Sequence, residues 1–306
     1  MPRYSPDQSE NALMSKGPAD LLAILDLELI EPNLFRGNSP NPGLQPIFGG
    51  QLIGQSMVAA SRTVAARMAH SLHAYFIQPG DPKVPIIYKV EALRDSKSYS
   101  TRRVTAMQHG NAIFSIMVSF HAGEPSAFDH QDSTPDVPPP EKLTAEALSK
   151  QPTFAEMPER IRRWYEPDRP IELPCPPIEL RAIEIGPYVG QKIHDGRIYF
   201  WIKIAEKLPD DQALNAPALA YASDWPLLDA VMARYGRTVF DRRVMAASLD
   251  HAMWFHRPFR ADDWLLYAAD SPSAQGGRGL ARGLIFKRDG TLVATVAQEA
   301  AMRERR

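Results

Sequence analysis

The chain has 306 residues, enough for about two domains, and 44% of them are hydrophobic, which is ample for two packed cores. Its 35 basic residues are balanced by 36 acidic ones, so it lacks the basic excess that binding a nucleic-acid backbone requires. The single cysteine, Cys175, excludes an intrachain disulfide and suits a reducing compartment.

The polar stretch 1–17 lacks the apolar core of a signal peptide, and no apolar run approaches the roughly 18 residues that a membrane span needs. The last four residues are not a peroxisomal address. We therefore expect a soluble cytoplasmic protein without stable membrane insertion.

The first half of the chain predicts a buried helix followed by antiparallel strands. Residues 20–27 fit a short amphipathic helix, and an extended segment follows near 29–36. A Phe-Gly-Gly-Gln turn opens the apolar and small residues of 48–66, which indicates a buried helix. Strand patterns follow at about 70–78, 85–94, 99–108 and 112–121.

A proline-rich connector, 123–177, divides the chain, because 12 of the 28 prolines lie between His121 and Pro177. Leu143, Leu148 and Ile161 are spaced to cover a neighbouring surface from short helices within it. Beyond the connector the pattern predicts a helix near 224–235 and strands near 178–186, 196–205, 245–257, 262–271, 279–288 and 291–302.

The two halves repeat the same unit. Tyr75-Phe76-Ile77-Gln78-Pro79 returns as Trp254-Phe255-His256-Arg257-Pro258, and Tyr88 and Arg103 return as Tyr267 and Arg282, all at an offset of 179 residues. We interpret this as a duplicated domain, with repeats at 1–122 and 178–306. Each repeat has one helix followed by antiparallel strands, so the predicted class is α+β: a double hot-dog, in which each helix is wrapped by a curved sheet.

Several common enzyme chemistries have no signature here. Gly54-Gln55-Ser56-Met57-Val58 lacks the final glycine of a nucleophile elbow, and no glycine-rich stretch ends in Gly-Lys-Ser/Thr. The pairs His70 with His73 and His251 with His256 have odd spacings on extended segments, so their side chains point to opposite faces. We expect neither a metal site nor a cofactor.

Several long motifs together carry a family resemblance. They are Phe48-Gly49-Gly50-Gln51, His70-Ser71-Leu72-His73-Ala74-Tyr75-Phe76, Pro79-Gly80-Asp81, Leu93-Arg94-Asp95, Arg102-Arg103-Val104, Tyr221-Ala222-Ser223-Asp224 and the run from Leu249 to Pro258. From about Leu21 to Arg303 the chain resembles the TesB-like acyl-CoA thioesterase II family. The resemblance implies a double hot-dog enzyme that hydrolyses acyl-CoA to free fatty acid and CoA.

The resemblance also implies three catalytic residues that hold a water. They are Asp224 at the start of the second-half helix, Gln298 on the last strand, and Ser248, where the family usually has Thr. An aspartate can accept the proton of a water that attacks a thioester, with the hydroxyl and the amide fixing its approach. On residues alone, Asp224 could instead favour a helix dipole with Ser223 as cap, and the other two could be ordinary strand residues.

Further candidates concern substrate binding. Backbone N–H groups of Gly50 and Gln51, at the predicted helix start, are candidates for an oxyanion site. His73 could line the barrel or be a core or rim histidine. Arg102 and Arg103, with Arg94 and Lys97, could meet CoA phosphates or be solvated strand charges.

The repeats differ where the chemistry is expected. Val118 aligns with Gln298 at an offset of 180, and Gly49-Gly50-Gln51 stands where the second half has Ser223-Asp224-Trp225. We therefore predict one working site per chain. Exposed sheet edges lead us to expect a homo-oligomer, dimer or tetramer.

The sequence leaves two alternative functions open. One is a hot-dog enoyl-thioester hydratase or dehydratase, which needs an Asp/His pair facing one substrate carbon; the adjacency of Asp250 and His251 argues against it. The other is a non-catalytic acyl-CoA-binding module.

Overall fold

The computed structural model describes residues 20–39, 46–162, 165 and 177–305. The predictions about Cys175, residues 1–17 and the last residue therefore lie outside the described residues. The helices of the described ranges are α1 (Leu21–Leu25), α2 (Gly49–Ser61), α3 (Ala145–Leu148), α4 (Pro152–Glu156), α5 (Glu159–Arg162), α6 (Gln212–Ser223) and α7 (Asp229–Ala233). None of these is long and apolar enough to cross a bilayer.

Thirteen strands in the described ranges form one antiparallel sheet. They are β1 (Glu28–Glu31), β2 (Leu34–Gly37), β3 (Met68–Phe76), β4 (Ile86–Asp95), β5 (Tyr99–Gln108), β6 (Asn111–His121), β7 (Ile178–Ala182), β8 (Ile198–Ile204), β9 (Val244–Ser248), β10 (Asp250–Phe255), β11 (Leu265–Gln275), β12 (Arg278–Lys287) and β13 (Leu292–Glu304). Most bounds lie within a few residues of those predicted, because alternation of buried and exposed side chains is a local signal.

The strand order is symmetric about its middle. It runs β1-β2-β4-β5-β6-β3-β10-β13-β12-β11-β8-β7, with β9 also paired to β13. The two repeats meet where β3 pairs with β10, with His73 opposite Ala252. The chain thus joins its own halves edge to edge, and its outer sheet edges are β1 and β7.

Each repeat packs a helix against its own strands, α2 against β3 to β6 and α7 against β8, β11 and β12. Helix α2 is buried almost throughout, between the first-half strands and α6. Glycine allows α2 and α6 to approach closely, because a Cβ on Gly50 would lie 2.2 Å from the carbonyl oxygen of Tyr221. Gly50 is therefore a packing requirement of this helix pair.

The predicted helix at 224–235 is corrected. Regular helix there is confined to α7, while α6 precedes it, and the chain between them, 224–228, is a series of turns. Asp211 caps the N-terminus of α6 by accepting from the Ala213 N–H at 2.8 Å. Asp224 is the C-terminal cap residue of α6. It does not lie in the first turn of its own helix, so the dipole of that helix does not explain this aspartate.

The connector covers one sheet face. Leu148 of α3, Phe154 of α4 and Ile161 of α5 pack in a second apolar cluster with Trp201 and Phe286. This cluster lies on the face of the second-half sheet that points away from α7. The corresponding outer face of the first half instead leaves large apolar side chains exposed, among them Met68, Tyr75, Ile77 and Met117.

Candidate active site

Asp224, Ser248 and Gln298 meet at one point. The Gln298 amide nitrogen donates to Asp224 Oδ1 at 3.0 Å and to Ser248 Oγ at 2.7 Å. Ser248 Oγ lies 3.4 Å from the same aspartate oxygen. Gln298 is 0% and Asp224 8% exposed, so the carboxylate is shielded from bulk water.

Three different elements supply these side chains. Asp224 follows α6, Ser248 ends β9, and Gln298 lies on the buried face of β13. Strands β9 and β13 are paired, with Ser248 opposite Ala300. Gln298 is two residues from Ala300 and on the same face of β13, so its amide lies next to the Ser248 hydroxyl. Sheet pairing therefore creates a contact between residues 50 positions apart.

A buried histidine holds the Gln298 side chain. His251 Nδ1 lies 2.5 Å from Gln298 Oε1, and its Nε2 lies 3.0 Å from Ser223 Oγ. An amide oxygen can only accept, so Nδ1 carries the proton. Burial lowers the pKa of His251, although Asp224 and the Gln298 amide oppose this. The ring is therefore neutral, and Nε2 is free to accept from the Ser223 hydroxyl.

The hydrogen bonds form a chain that ends at the carboxylate. The single Ser223 hydroxyl proton has two acceptors within reach, Ala220 O at 2.9 Å and His251 Nε2 at 3.0 Å; His251 in turn donates to Gln298, which donates to Asp224. Both N–H bonds of the Gln298 amide are used, by Asp224 and Ser248. In this arrangement Gln298 orients the base and the hydroxyl and has no N–H left over for a water.

The first repeat lacks this network. Leu72 and Val118 are directly opposite each other on β3 and β6, and both are 0% exposed. At the repeat offsets they correspond to His251 and Gln298. An apolar pair thus replaces the histidine and glutamine in the first half.

The N-terminus of α2 faces the aspartate across the repeat boundary. A Cβ on Gly49 would lie 2.7 Å from Asp224 Oδ2, so the carboxylate stands against the start of this 13-residue helix. The Gln51 N–H donates to Phe48 O at 3.0 Å, and its side chain donates to Ser39 Oγ at 2.9 Å. Both the backbone N–H and the side-chain amide of Gln51 are therefore already hydrogen-bonded within the protein. The N–H groups of Gly49 and Gly50 remain as the donors at this helix start.

The other binding candidates lie apart from this cluster. His73 is exposed on the face of β3 opposite to the buried Leu72, and its ring packs edge-on against Trp254. Arg103 is paired with Glu91 at 2.6 Å on an exposed face. Neither side chain points into the site.

Arg102 is a buried structural residue. It is 4% exposed, and its guanidinium donates to Thr63 Oγ1 and O, to Asp95, and to the carbonyls of Arg94 and Thr101. All five N–H donors are therefore satisfied by the protein. It has none to offer a phosphate.

Sequence reasoning missed two contributors to the site, Ser223 and Tyr267. The Tyr267 hydroxyl donates to Ser223 O at 3.2 Å and is fully buried. Its repeat partner Tyr88 donates to Gln55 of α2 at 2.5 Å. The match between Tyr88 and Tyr267 in the two repeats therefore indicates, from the sequence alone, a hydroxyl that contacts a central helix. In the described residues, no cluster of three or more His, Cys, Asp or Glu side chains could hold a metal ion.

Comparison with known proteins gives the family. A model of the acyl-CoA thioesterase family matches residues 177–301, and a model of acyl-CoA thioesterase N-terminal domains matches residues 38–121. Human acyl-coenzyme A thioesterase 8 is 37% identical over 295 residues, which cover 94% of this chain and 91% of the human protein. The chain belongs to the acyl-CoA thioesterase II family.

Solved structures agree with this assignment. An acyl-CoA thioesterase II from Mycobacterium marinum is 38% identical, with a TM-score of 0.72 over 93% of this chain and 97% of that one. A hot-dog-fold protein of unknown function from Alicyclobacillus acidocaldarius, 19% identical, has a TM-score of 0.68 over 93% of this chain and 98% of that one. The predicted family and hot-dog fold are confirmed.

Proposed function

We propose that this acyl-CoA thioesterase hydrolyses fatty acyl-CoA to free fatty acid and CoA, with Asp224 as the base that activates water. The observation that carries the proposal is the meeting of Asp224, Ser248 and Gln298 in a shielded site at the start of α2. A thioester carbonyl is a good electrophile with a good leaving group, so a positioned water and a carboxylate suffice.

The reaction follows from the positions of these groups. Asp224 accepts a proton as the water oxygen attacks the thioester carbon, and Ser248 fixes the approach of the water by hydrogen bonding. The carbonyl oxygen becomes negative and is stabilised by the N–H groups of Gly49 and Gly50 at the start of α2. The carbon–sulfur bond then breaks, and the proton held by Asp224 passes to the CoA sulfur.

Gln298 acts in this scheme as a positioning residue. Its amide holds Asp224 and Ser248 in a fixed relation, and His251 fixes which way round the amide stands. A reversed amide would place its oxygen against the carboxylate, which is repulsive. The chemistry thus depends on a neutral histidine that does not touch the substrate.

The hydratase alternative has little geometric support. Asp250 accepts from the backbone N–H of Glu299 at 2.7 Å, whereas the His251 ring is buried against Gln298 and Ser223. The two side chains are therefore engaged separately and do not face one carbon. A binding module that does not catalyse a reaction would not require the buried contact of Asp224 with Gln298 and Ser248.

A single assay separates these functions. The purified protein is incubated with medium- and long-chain acyl-CoA and a thiol reagent, and enoyl-CoA is tested in parallel. We expect free CoA to be released from acyl-CoA with burst-free, steady turnover. Hydration of enoyl-CoA without CoA release would support the hydratase alternative, and tight binding without either product would support the binding module.

We also propose that the enzyme is a homo-oligomer. Met68 and Tyr75 on β3 and Met117 on β6 are large apolar side chains that are exposed on the outer sheet face of the first repeat, and the exposed Ile77 follows β3. A second copy could cover this face. Light scattering of the protein and of a Tyr75→Lys variant tests it. The cytoplasmic location stays a prediction, to be checked by cell fractionation.

A further inference from the structure

Two neighbouring cavities open beside the candidate site. The near cavity, about 330 Å³, is lined mainly by apolar side chains that include Trp225, Leu228, Phe240, Val244 and Ala246. The far cavity has a volume of about 540 Å³. Val244 lines both, so the two cavities adjoin at this residue.

The near cavity is lined by chain neighbours of the candidate catalytic residues, while Asp224, Ser248 and Gln298 are not among its lining residues. Trp225 follows Asp224 in the chain, and Ala246 precedes Ser248 by two residues on β9. Val244, Ala246 and Ser248 are each half-buried and alternate with the exposed Met245 and Ala247, so they share one face of the strand. Met245 lines the cavity as well, and a ligand that extends from the cavity to Ser248 would pass over Val244 and Ala246.

The far cavity combines an apolar floor with a basic rim. Val231, Met232 and Met302 contribute the floor, and the charged side chains are Lys192, Arg237, Arg278, Arg303 and Glu304. Arg237 is paired with Glu304 at 2.8 Å and Arg278 with Glu299 at 3.0 Å. Among the described residues, neither Lys192 nor Arg303 forms an ion pair, and both are exposed.

Such a rim attracts phosphate groups. The whole chain has a formal net charge of −1, so the surplus of cations around the far cavity is local. Val244 lies four residues from Ser248, about 13 Å along an extended strand. This distance is comparable to the length of an extended pantetheine arm, which would place the phosphates of a CoA ester at the rim when its thioester is at Ser248.

We propose that these two cavities hold the CoA part of the substrate: pantetheine in the near cavity and the phosphorylated adenosine in the far cavity, with Lys192 and Arg303 on its phosphates. This rests on the proposed function, because it assumes that the thioester reacts at Asp224. It also supplies the phosphate contacts that Arg102 and Arg103 do not provide, since both are engaged elsewhere.

Steady-state kinetics with two substrates test the far cavity. The Lys192→Ala/Arg303→Ala double variant is compared with wild type on an acyl-CoA and on the same acyl group carried by pantetheine. We expect the KM for acyl-CoA to rise by at least tenfold, because two charge-assisted hydrogen bonds are lost. The preference for acyl-CoA over acyl-pantetheine, as a ratio of kcat/KM, should fall by a similar factor, and high salt should reduce the wild-type preference.

Arg103→Ala is the matched control, because it removes an exposed arginine from a different sheet face. It should keep the wild-type preference. Ala246→Phe tests the near cavity, since the larger side chain fills it and should raise KM for both substrates. An unchanged preference in the double variant, or unchanged KM values in Ala246→Phe, would overturn the proposal.

Direct binding separates this proposal from the proposed function. Calorimetry measures the affinity of wild type and the double variant for free CoA, which requires no turnover. If acyl-CoA is hydrolysed but the double variant binds CoA as well as wild type does, the CoA site is refuted and the thioesterase assignment stands. If CoA binding weakens in the variant but no acyl-CoA is hydrolysed, the CoA site stands and the proposed function fails.

Discussion

His251 Nδ1 lies 2.5 Å from Gln298 Oε1, and both side chains are completely buried. The contact joins neighbouring strands β10 and β13 at the position where the first repeat packs Leu72 against Val118. A polar pair in a buried site is costly unless every group is satisfied. Here the pair is satisfied by Ser223 at one end and by Asp224 and Ser248 at the other.

His251→Leu, which installs the first-repeat residue, should reduce kcat by at least tenfold with a smaller effect on KM. The leucine removes the N–H that fixes the Gln298 amide, so the amide can rotate by about 180° and no longer hold Asp224 in position. His251→Asn offers an N–H at the position of Nδ1 and should recover part of the rate. NMR of the wild-type ring should show a neutral imidazole protonated at Nδ1. Equal loss in both variants, or the other tautomer, would contradict this role.

Asp224→Asn should lower kcat by about 10²- to 10⁴-fold, the usual contribution of a general base, while the protein still folds. An asparagine oxygen can still accept from Gln298, so the structure retains its contacts and loses only the proton acceptor. Asp250→Asn is the matched control, because its oxygen still accepts from Glu299 N–H and the residue lies outside the proposed chemistry. Turnover at the wild-type rate in the Asp224 variant would exclude it as the base.

Ser248→Ala should slow turnover by about tenfold, because it leaves one N–H of Gln298 without its acceptor and removes the hydroxyl that fixes the water. Ser248→Thr keeps the hydroxyl and adds a methyl group that restricts its rotation. Its kcat should be no lower than that of wild type. Measured kcat and KM of both variants decide the point, and full activity in Ser248→Ala would show that the hydroxyl is dispensable.

Gly50→Ala should destabilise the fold by about 1–3 kcal/mol, as overpacking does in a close-packed interior. The added Cβ would lie 2.2 Å from the Tyr221 carbonyl oxygen, which belongs to the backbone of α6 and cannot move alone. Gly54→Ala is a control on the same helix. Its added Cβ approaches the end of the Leu25 side chain at 2.9 Å, which can move. Urea unfolding should give a larger loss for Gly50→Ala, and the reverse order would contradict this packing account.

Asp229 should make the stability depend on pH. Burial raises the pKa of its carboxyl to about 7, well above the usual value of a free aspartate. Between these two values the native protein binds more protons than the unfolded chain, so the free energy of unfolding falls as pH rises from about 4 to about 7.

Asp229→Asn cannot ionise, and its oxygen can still accept from the Val239 N–H, now 2.6 Å from the carboxylate. As pH rises from about 4 to about 7, the free energy of unfolding of this variant should increase relative to that of wild type by about 1.4 kcal/mol per pH unit. Chemical denaturation at several pH values measures the difference. A difference that stays constant from pH 5 to pH 7 would show that the carboxyl does not titrate in this range.

Local patterns predicted most of the strands and α2, because alternation and glycine turns act within a few residues. They failed at α6, whose alanine-rich sequence has little amphipathic pattern and contains Pro217 in its interior. This proline disfavours helix in isolation. Burial of the segment against α2 stabilises the helix nevertheless.

The faces of the strands were harder to assign than the strands themselves. Alternation showed that neighbours such as Leu72 and His73 point to opposite sides, but it did not show which side carries the substrate. The structure places His73 outside and makes Arg102 part of a buried network. By chemical type alone, both residues are compatible with a role in substrate binding.

The sequence by itself determined the duplicated pattern and most of the strands along the chain, since each is recorded in residue type and spacing, and its resemblance to a known family pointed to Asp224, Ser248 and Gln298. Only the tertiary structure decided that Asp224, Ser248 and Gln298 share hydrogen bonds and that His251 orients the amide. The physical reason is distance along the chain. Sheet pairing and the close approach of α2 to α6 bring these groups together, and no local pattern specifies such long-range contacts.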